Sequence, residues 1–223
     1  FINASGHGSS PILVDGKIIL VCDQSSDSYL LALNVKDGSI AWKVDRPEVT
    51  RGYGTAGIFR PAKGKPQVVV PGSYRVVSYD LETGEKLWWV NDFAWQLKCV
   101  PIIDGDTIYI NGWEIGGDAG QQKETTSFEK VLAEHDADGD GKLSQSESPD
   151  ARLARDQSWA EHDLDQDGLL DERDWYFYAA RRAPINNMVA IRPGILKGDI
   201  SETGVAWRYT KSLPNTPSPL LYK

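Results

Sequence analysis

Two stretches of this 223-residue sequence place oxygen-bearing side chains at a spacing that suits a hard divalent cation. In the first, Asp136, Asp138 and Asp140 alternate with small residues, Gly141 follows, and Lys142, Leu143, Ser144 and finally Glu147 complete twelve positions. Ca²⁺ takes about six to eight oxygens at about 2.3–2.6 Å. Side chains at positions 1, 3, 5, 9 and 12, with the Lys142 carbonyl at 7, wrap such a set around one point, and Gly141 allows the sharp turn at 6. The second stretch repeats the pattern with Asp163, Asp165, Asp167, the Leu169 carbonyl, Asp171 and Asp174, turning at Gly168. Its twelfth residue is one methylene shorter than Glu, which predicts weaker or less complete coordination, partly offset by the charged Asp171.

The pattern is that of the EF-hand loop, and two sites for Ca²⁺ are expected. A solvated acidic helix has no reason to place glycine after three alternating aspartates. Both loops follow the same stem, Ala133-Glu134-His135 and Ala160-Glu161-His162, so the two hands read as copies 27 residues apart. Apolar Leu143, at position 8, can pair with the sister loop. Phe128, Val131 and Leu132 before the first loop, and Trp175 and Tyr178 after the second, fall at helical spacing that buries one face. The two histidines end the entering helices, where a cation suits the helix dipole better than a role as metal ligand. The fifteen residues from Ser148 to His162 leave little room for a full exiting helix, a turn and a full entering helix.

Stepping outward, the charge of the chain is concentrated around these loops. The net charge is −8, and between Ser127 and Arg182 fifteen acids face seven bases, whereas the remainder is balanced. A basic face for nucleic acid is absent, so nucleic-acid binding has no support. No apolar run approaches the roughly 18–20 residues of a membrane-spanning helix. Two cysteines, Cys22 and Cys99, cannot build a disulfide framework. A chain that opens at Phe1 and closes mid-strand at Leu220 to Lys223 reads as a piece of something longer.

The balanced part is repetitive. Ala32 to Trp42 aligns with Val77 to Trp88 and again with Ser201 to Trp207: strand, Asp/Thr-Gly turn, strand, Trp. Upstream halves recur as Ser10 to Leu20 and Val100 to Ile110, each with an Asp-Gly turn between β-branched runs, which is a hairpin signal. Trp42 and Trp88 are 46 residues apart, the length of a four-stranded propeller blade. Pro11 to Trp42 spans 31 residues but Pro101 to Trp207 spans 106, so about 75 extra residues fall between Trp113 and Asn187. The expected organisation is blades over 1–115, an EF-hand insertion over 116–186 between the second and third strands of its blade, and a return to that blade over 187–223. The fold class is mainly β: a partial propeller of about three four-stranded blades with an inserted α-helical pair. A dockerin also carries paired calcium loops, but these lie between two strands of one blade.

Over roughly residues 5–113 and 187–223 the repeats resemble the quinoprotein-like β-propellers, whose blades carry the Ala-x-Asp-x-x-x-Gly-x-x-x-Trp signature of pyrroloquinoline quinone (PQQ) enzyme repeats and which include BamB-like scaffolds. The resemblance implies a ring of about seven or eight blades, of which this chain supplies about three, with the repeated Trp residues packing blade on blade. The same blades serve dehydrogenases and pure scaffolds. PQQ enzymes of this family commonly roof the quinone with adjacent cysteines, and no Cys-Cys pair exists here. His7 has no Ser or Cys constellation near it and reads as a loop residue. The expectation is therefore a non-catalytic, calcium-stabilised scaffold that binds a protein partner or small ligand at the face where inter-blade loops converge. Arg46, Arg51, Tyr53, Tyr74, Arg75, Trp95 and Trp113 are the candidates for that face, since Arg, Tyr and Trp are enriched at binding hot spots. A fragment of a PQQ-dependent alcohol or sugar dehydrogenase with its active-site residues elsewhere is the alternative; PQQ is possible but unsupported by this segment. Calcium loops, few cysteines and the family's usual export imply an extracytoplasmic location, in the bacterial periplasm or envelope.

Overall fold

The computed structural model describes residues 6–222. Blade one is an antiparallel sheet of β1 (Ile12–Val14), β2 (Lys17–Cys22), β3 (Tyr29–Asn34) and β4 (Ile40–Asp45) in sequence order. Blade two repeats it with β5 (Gly57–Phe59), β6 (Gln67–Pro71), β7 (Val76–Asp80) and β8 (Lys86–Val90). Blade three begins with β9 (Ile102–Asp104) and β10 (Thr107–Gly112). The chain then leaves the sheet for α1 (Phe128–His135), a 3₁₀ turn (Gln145–Glu147), α2 (Asp156–His162) and α3 (Glu172–Arg182). It re-enters at β11 (Asn187–Ile191), antiparallel to β10 with Gly112 opposite Asn187. The short β12 (Gly198–Asp199) and β13 (Val205–Tyr209) follow. The insertion therefore joins the second and third strands of its blade.

Position in the stack explains the sequence of each strand. Strand β2 alternates buried and half-buried residues, whereas every residue of β6 and β7 is buried. Blade two is covered on both faces, and doubly covered strands lose alternation. Ile19, Leu30, Trp42, Val68, Val70 and Tyr79 form the core between blades one and two. Phe59, Val69, Trp88, Ile108, Ile110 and Val189 form the one between blades two and three.

The tryptophans hold one register. Trp42 pairs with Ala32, Trp88 with Ser78 and Trp207 with Ala190, and each pair is followed at once by a β-bulge. Trp42 donates its indole N–H to the Leu81 carbonyl of the next blade at 3.1 Å. Its ring lies against Gly84, which has φ +76° and leaves no space for a Cβ. Trp88 is buried and donates to Gln67 Oε1 at 2.8 Å. Trp207 departs from the expected burial: it is 43% exposed, because no described sheet packs beyond blade three. Blade two departs from the four-strand expectation, since β12 pairs in parallel with β8 and makes a fifth strand.

The neck of the insertion is pinned by Asn186. Its side chain accepts from Glu114 N at 2.6 Å and donates to Glu114 O and Asp118 Oδ1, while its backbone N–H reaches Gly117 O at 2.8 Å. Gly117 is required there because a Cβ would overlap the Asn186 amide.

Candidate metal centre

The two acidic loops share one hydrogen-bond plan. In each, the second oxygen of the first aspartate accepts from the glycine at position 6: Asp136 from Gly141 at 3.0 Å, Asp163 from Gly168 at 2.9 Å. In each, the twelfth residue accepts from the N–H at position 2: Glu147 from Ala137 at 2.9 Å, Asp174 from Leu164 at 3.1 Å. The eighth residues, Leu143 and Leu170, exchange both backbone hydrogen bonds at 3.0 and 2.8 Å, a two-residue antiparallel bridge that ties the loops together. Beneath it Val131, Leu153, Trp159, Trp175 and Tyr178 form a core separate from the blades. The exit from the first loop is only the 3₁₀ turn, as the short spacer requires.

Three carboxylates converge in each loop, Asp136 with Asp138 and Glu147, and Asp163 with Asp165 and Asp174, with one oxygen from each lying within 4.8 Å of the others. Asp140, Ser144, Lys142 and Leu169, the other expected ligands, stand on the same loops outside these trios, as do Asp167 and Asp171. Asp140 Oδ1 instead accepts from Lys142 N, and Asp171 serves as the N-cap of α3, accepting from Asp174 N.

The loops differ in burial. Glu147 is held near pKa 2 by hydrogen bonds from the Ser144 hydroxyl, Ser144 N and Ala137 N. Asp174 is pushed up to about 7 by burial, and burial also raises Asp163. Asp163 Oδ1 is buried with no hydrogen-bond partner. Buried carboxylates are costly as anions, and a divalent cation between them would offset that cost. The oxygen-only donor set suits a hard cation. His162 does not act as a dipole-capping cation: burial lowers its pKa, its ring packs edge-on against Tyr178, and Nδ1 lies 2.7 Å from Ser158 O.

The second loop and α3 lie on the propeller. Arg173 donates to the carbonyls of Ser25 at 3.1 Å and of Val49 and Pro47 at 3.4 Å. Phe177 stacks on Tyr74 with centroids 6.2 Å apart, and the two are buried with Leu164. Arg181 sits 4.0 Å over the Trp95 ring. Nothing local in the sequence marks Arg173, Phe177, Arg181 or Asn186; only their docking reveals them.

This packing redistributes the candidates for the binding face. Arg46 is fully buried, its guanidinium clamping Asp23 at 2.7 and 3.0 Å and donating to Tyr79, and Tyr74 is covered by Phe177. Neither is available to a partner in this arrangement. Arg51 is half-buried and donates to Ser25 Oγ at 2.7 Å; Tyr53 and Arg75 are also half-buried. Trp95 and Trp113 come together with Lys98, Glu114 and Arg181 around an open cleft of about 380 Å³. A larger cleft, about 860 Å³, separates Asp165, Asp171 and Asp174 from Ser26, Lys43 and Asp45 of blade one.

Three face-packed sheets of mainly antiparallel strands, with tryptophan in one repeated register, define a propeller-type fold with PQQ-like repeats. Residues 2–110, just under half of the chain, match the family model described as outer membrane protein assembly factor BamB. Similar solved structures include BamB from Moraxella catarrhalis, at 16% identity and TM-score 0.35, covering 45% of this chain and 29% of that one. A quinohemoprotein alcohol dehydrogenase of Pseudomonas putida HK5 gives 15% identity and TM-score 0.40, covering 91% and 26%. The quinohemoprotein alcohol dehydrogenase of Comamonas testosteroni gives 15% and 0.35, covering 93% and 35%. The chain thus spans about a third or less of these proteins. No curated protein is significantly similar to it. Among the described residues no helix is long and apolar enough to cross a membrane.

Proposed function

We propose that this chain is a calcium-binding, non-catalytic part of a propeller scaffold, in which an EF-hand pair inserted in blade three stabilises the face that meets a protein partner or small ligand. The observation that carries the calcium reading is the repeated loop geometry, with Asp163 Oδ1 buried and unpartnered among carboxylates. Bound Ca²⁺ neutralises the trios and cross-links each loop; it supplies no reaction chemistry. Asp136, Asp138, Asp140, Lys142 O, Ser144 and Glu147 would hold one ion, and Asp163, Asp165, Asp167, Leu169 O, Asp171 and Asp174 the other. The family's description as an outer membrane assembly factor supports a bacterial envelope location and a partner-binding role. With Arg46 and Tyr74 inside the fold, the Trp95–Trp113 cleft and the half-buried Arg51, Tyr53 and Arg75 are left as the accessible part of the face.

Calcium titration calorimetry of the intact chain tests the reading. Two sites are expected, with Glu147→Gln weakening the tighter one more than Asp174→Asn weakens the other. No heat at millimolar Ca²⁺ would sink it. Dye-linked alcohol oxidation on addition of PQQ and Ca²⁺ would replace the scaffold role with a dehydrogenase.

A further inference from the structure

The two loops are treated differently by the propeller. In the first, positions 2 and 11 are Ala137 and Ser146, both exposed. In the second they are Leu164 and Arg173, each next to a buried carboxylate, Asp163 or Asp174, and each fixed to the blades. Leu164 is buried with Tyr74 and Phe177, and its N–H holds Asp174. Arg173 spends its guanidinium on the Ser25, Pro47 and Val49 carbonyls and lies 5.1 Å from the Phe177 ring centroid. The first and last ligands of this loop are therefore set in place by contacts with blades one and two.

We infer that Arg173 is a positioning residue for the second calcium site, coupling ion binding there to docking of α3 on the propeller. The inference rests on the calcium reading above and adds its regulation. Docking preorganises Asp163 and Asp174, which lowers the ordering cost of binding an ion and offsets the short reach of Asp174. Coupling of two equilibria is reciprocal, so an ion in the second loop also holds α3 against Tyr74 and Trp95. The first loop, lacking such contacts, titrates independently of the blades.

The test is calcium titration calorimetry of the intact chain carrying Glu147→Gln, which weakens the first loop and leaves the second to be read. Adding Arg173→Ala should weaken the remaining site about tenfold, within the usual range of coupling strengths, and Arg173→Lys should restore part of the loss. Phe177→Leu, which keeps an apolar side chain in the contact, should weaken it in the same direction. In hydrogen exchange, calcium should protect amides of residues 25–28 and 47–50 in the parent but not in Arg173→Ala. Unchanged second-site affinity in both Arg173→Ala and Phe177→Leu, with calcium still bound, overturns the coupling and leaves the calcium reading standing. Absence of calcium binding in the unsubstituted chain overturns both.

Discussion

Lys142 Nζ lies 2.5 Å from Asp167 Oδ2, so the seventh residue of one acidic loop holds the fifth residue of the other. Asp167, paired with this lysine, stands outside the converging trio of Asp163, Asp165 and Asp174. On the calcium reading proposed above, an ion that recruits Asp167 would compete with that ammonium.

Lys142→Met is therefore expected to tighten calcium binding at the second site. Both partners of the pair are about one-third exposed and solvent-screened, so the gain should be small, no more than about fivefold. Calorimetry on the intact chain reads it directly; a weaker second site in this variant would contradict the competition.

The tryptophan series separates register from burial. Trp88, in the core between blades two and three, should cost about 3–5 kcal/mol on substitution by Ala, whereas Trp207→Ala, at 43% exposure in the same register, should cost about 1 kcal/mol. Denaturant unfolding of the two variants checks the contrast, and equal losses would refute it.

Asp23 and Arg46 form a fully buried bidentate pair. Burial pushes the Asp23 carboxyl up, and the guanidinium opposes that shift. Asp23→Ala leaves a buried cation without its partner and should destabilise blade one by about 3–5 kcal/mol. The exposed pair Arg60–Asp15 offers a control, where Arg60→Ala should cost no more than about 1 kcal/mol. Thermal or denaturant melts compare them.

Calcium removal should loosen the insertion and spare the blades. Fifteen acids face seven bases there, and without cations the loops repel themselves, whereas blades one and two are held by their own apolar cores. Hydrogen exchange with and without chelator should show lost protection in residues 128–182 and little change in β2, β3, β6 and β7. Equal loss throughout residues 10–100, or calcium-induced exposure of a dye-binding apolar surface, would point to a sensor.

The glycine at position 6 of each loop, the apolar Leu143 and Leu170, and the Trp spacing were legible because they are local: a turn, a bridge and a strand register each depend on a few neighbouring residues. The shared stems before the loops likewise mark α1 and α2. By contrast, Arg46 and Tyr74 look in sequence like surface hot-spot residues, and their burial depends on Asp23, Tyr79 and Phe177, from 23 to 103 positions away.

By itself the sequence determined the propeller repeat, the place of the insertion between two strands, and the spacing of the acidic loops, since periodicity and spacing are properties of neighbouring positions. Only the tertiary structure decided that Trp207 stays half-exposed, that β12 joins blade two, that Lys142 reaches Asp167, and that Arg173 seats the second loop on blade one. Those outcomes follow from contacts between segments far apart in the chain, where the side chain that fills a space or meets a carbonyl is chosen by how the blades stack and where α3 comes to rest.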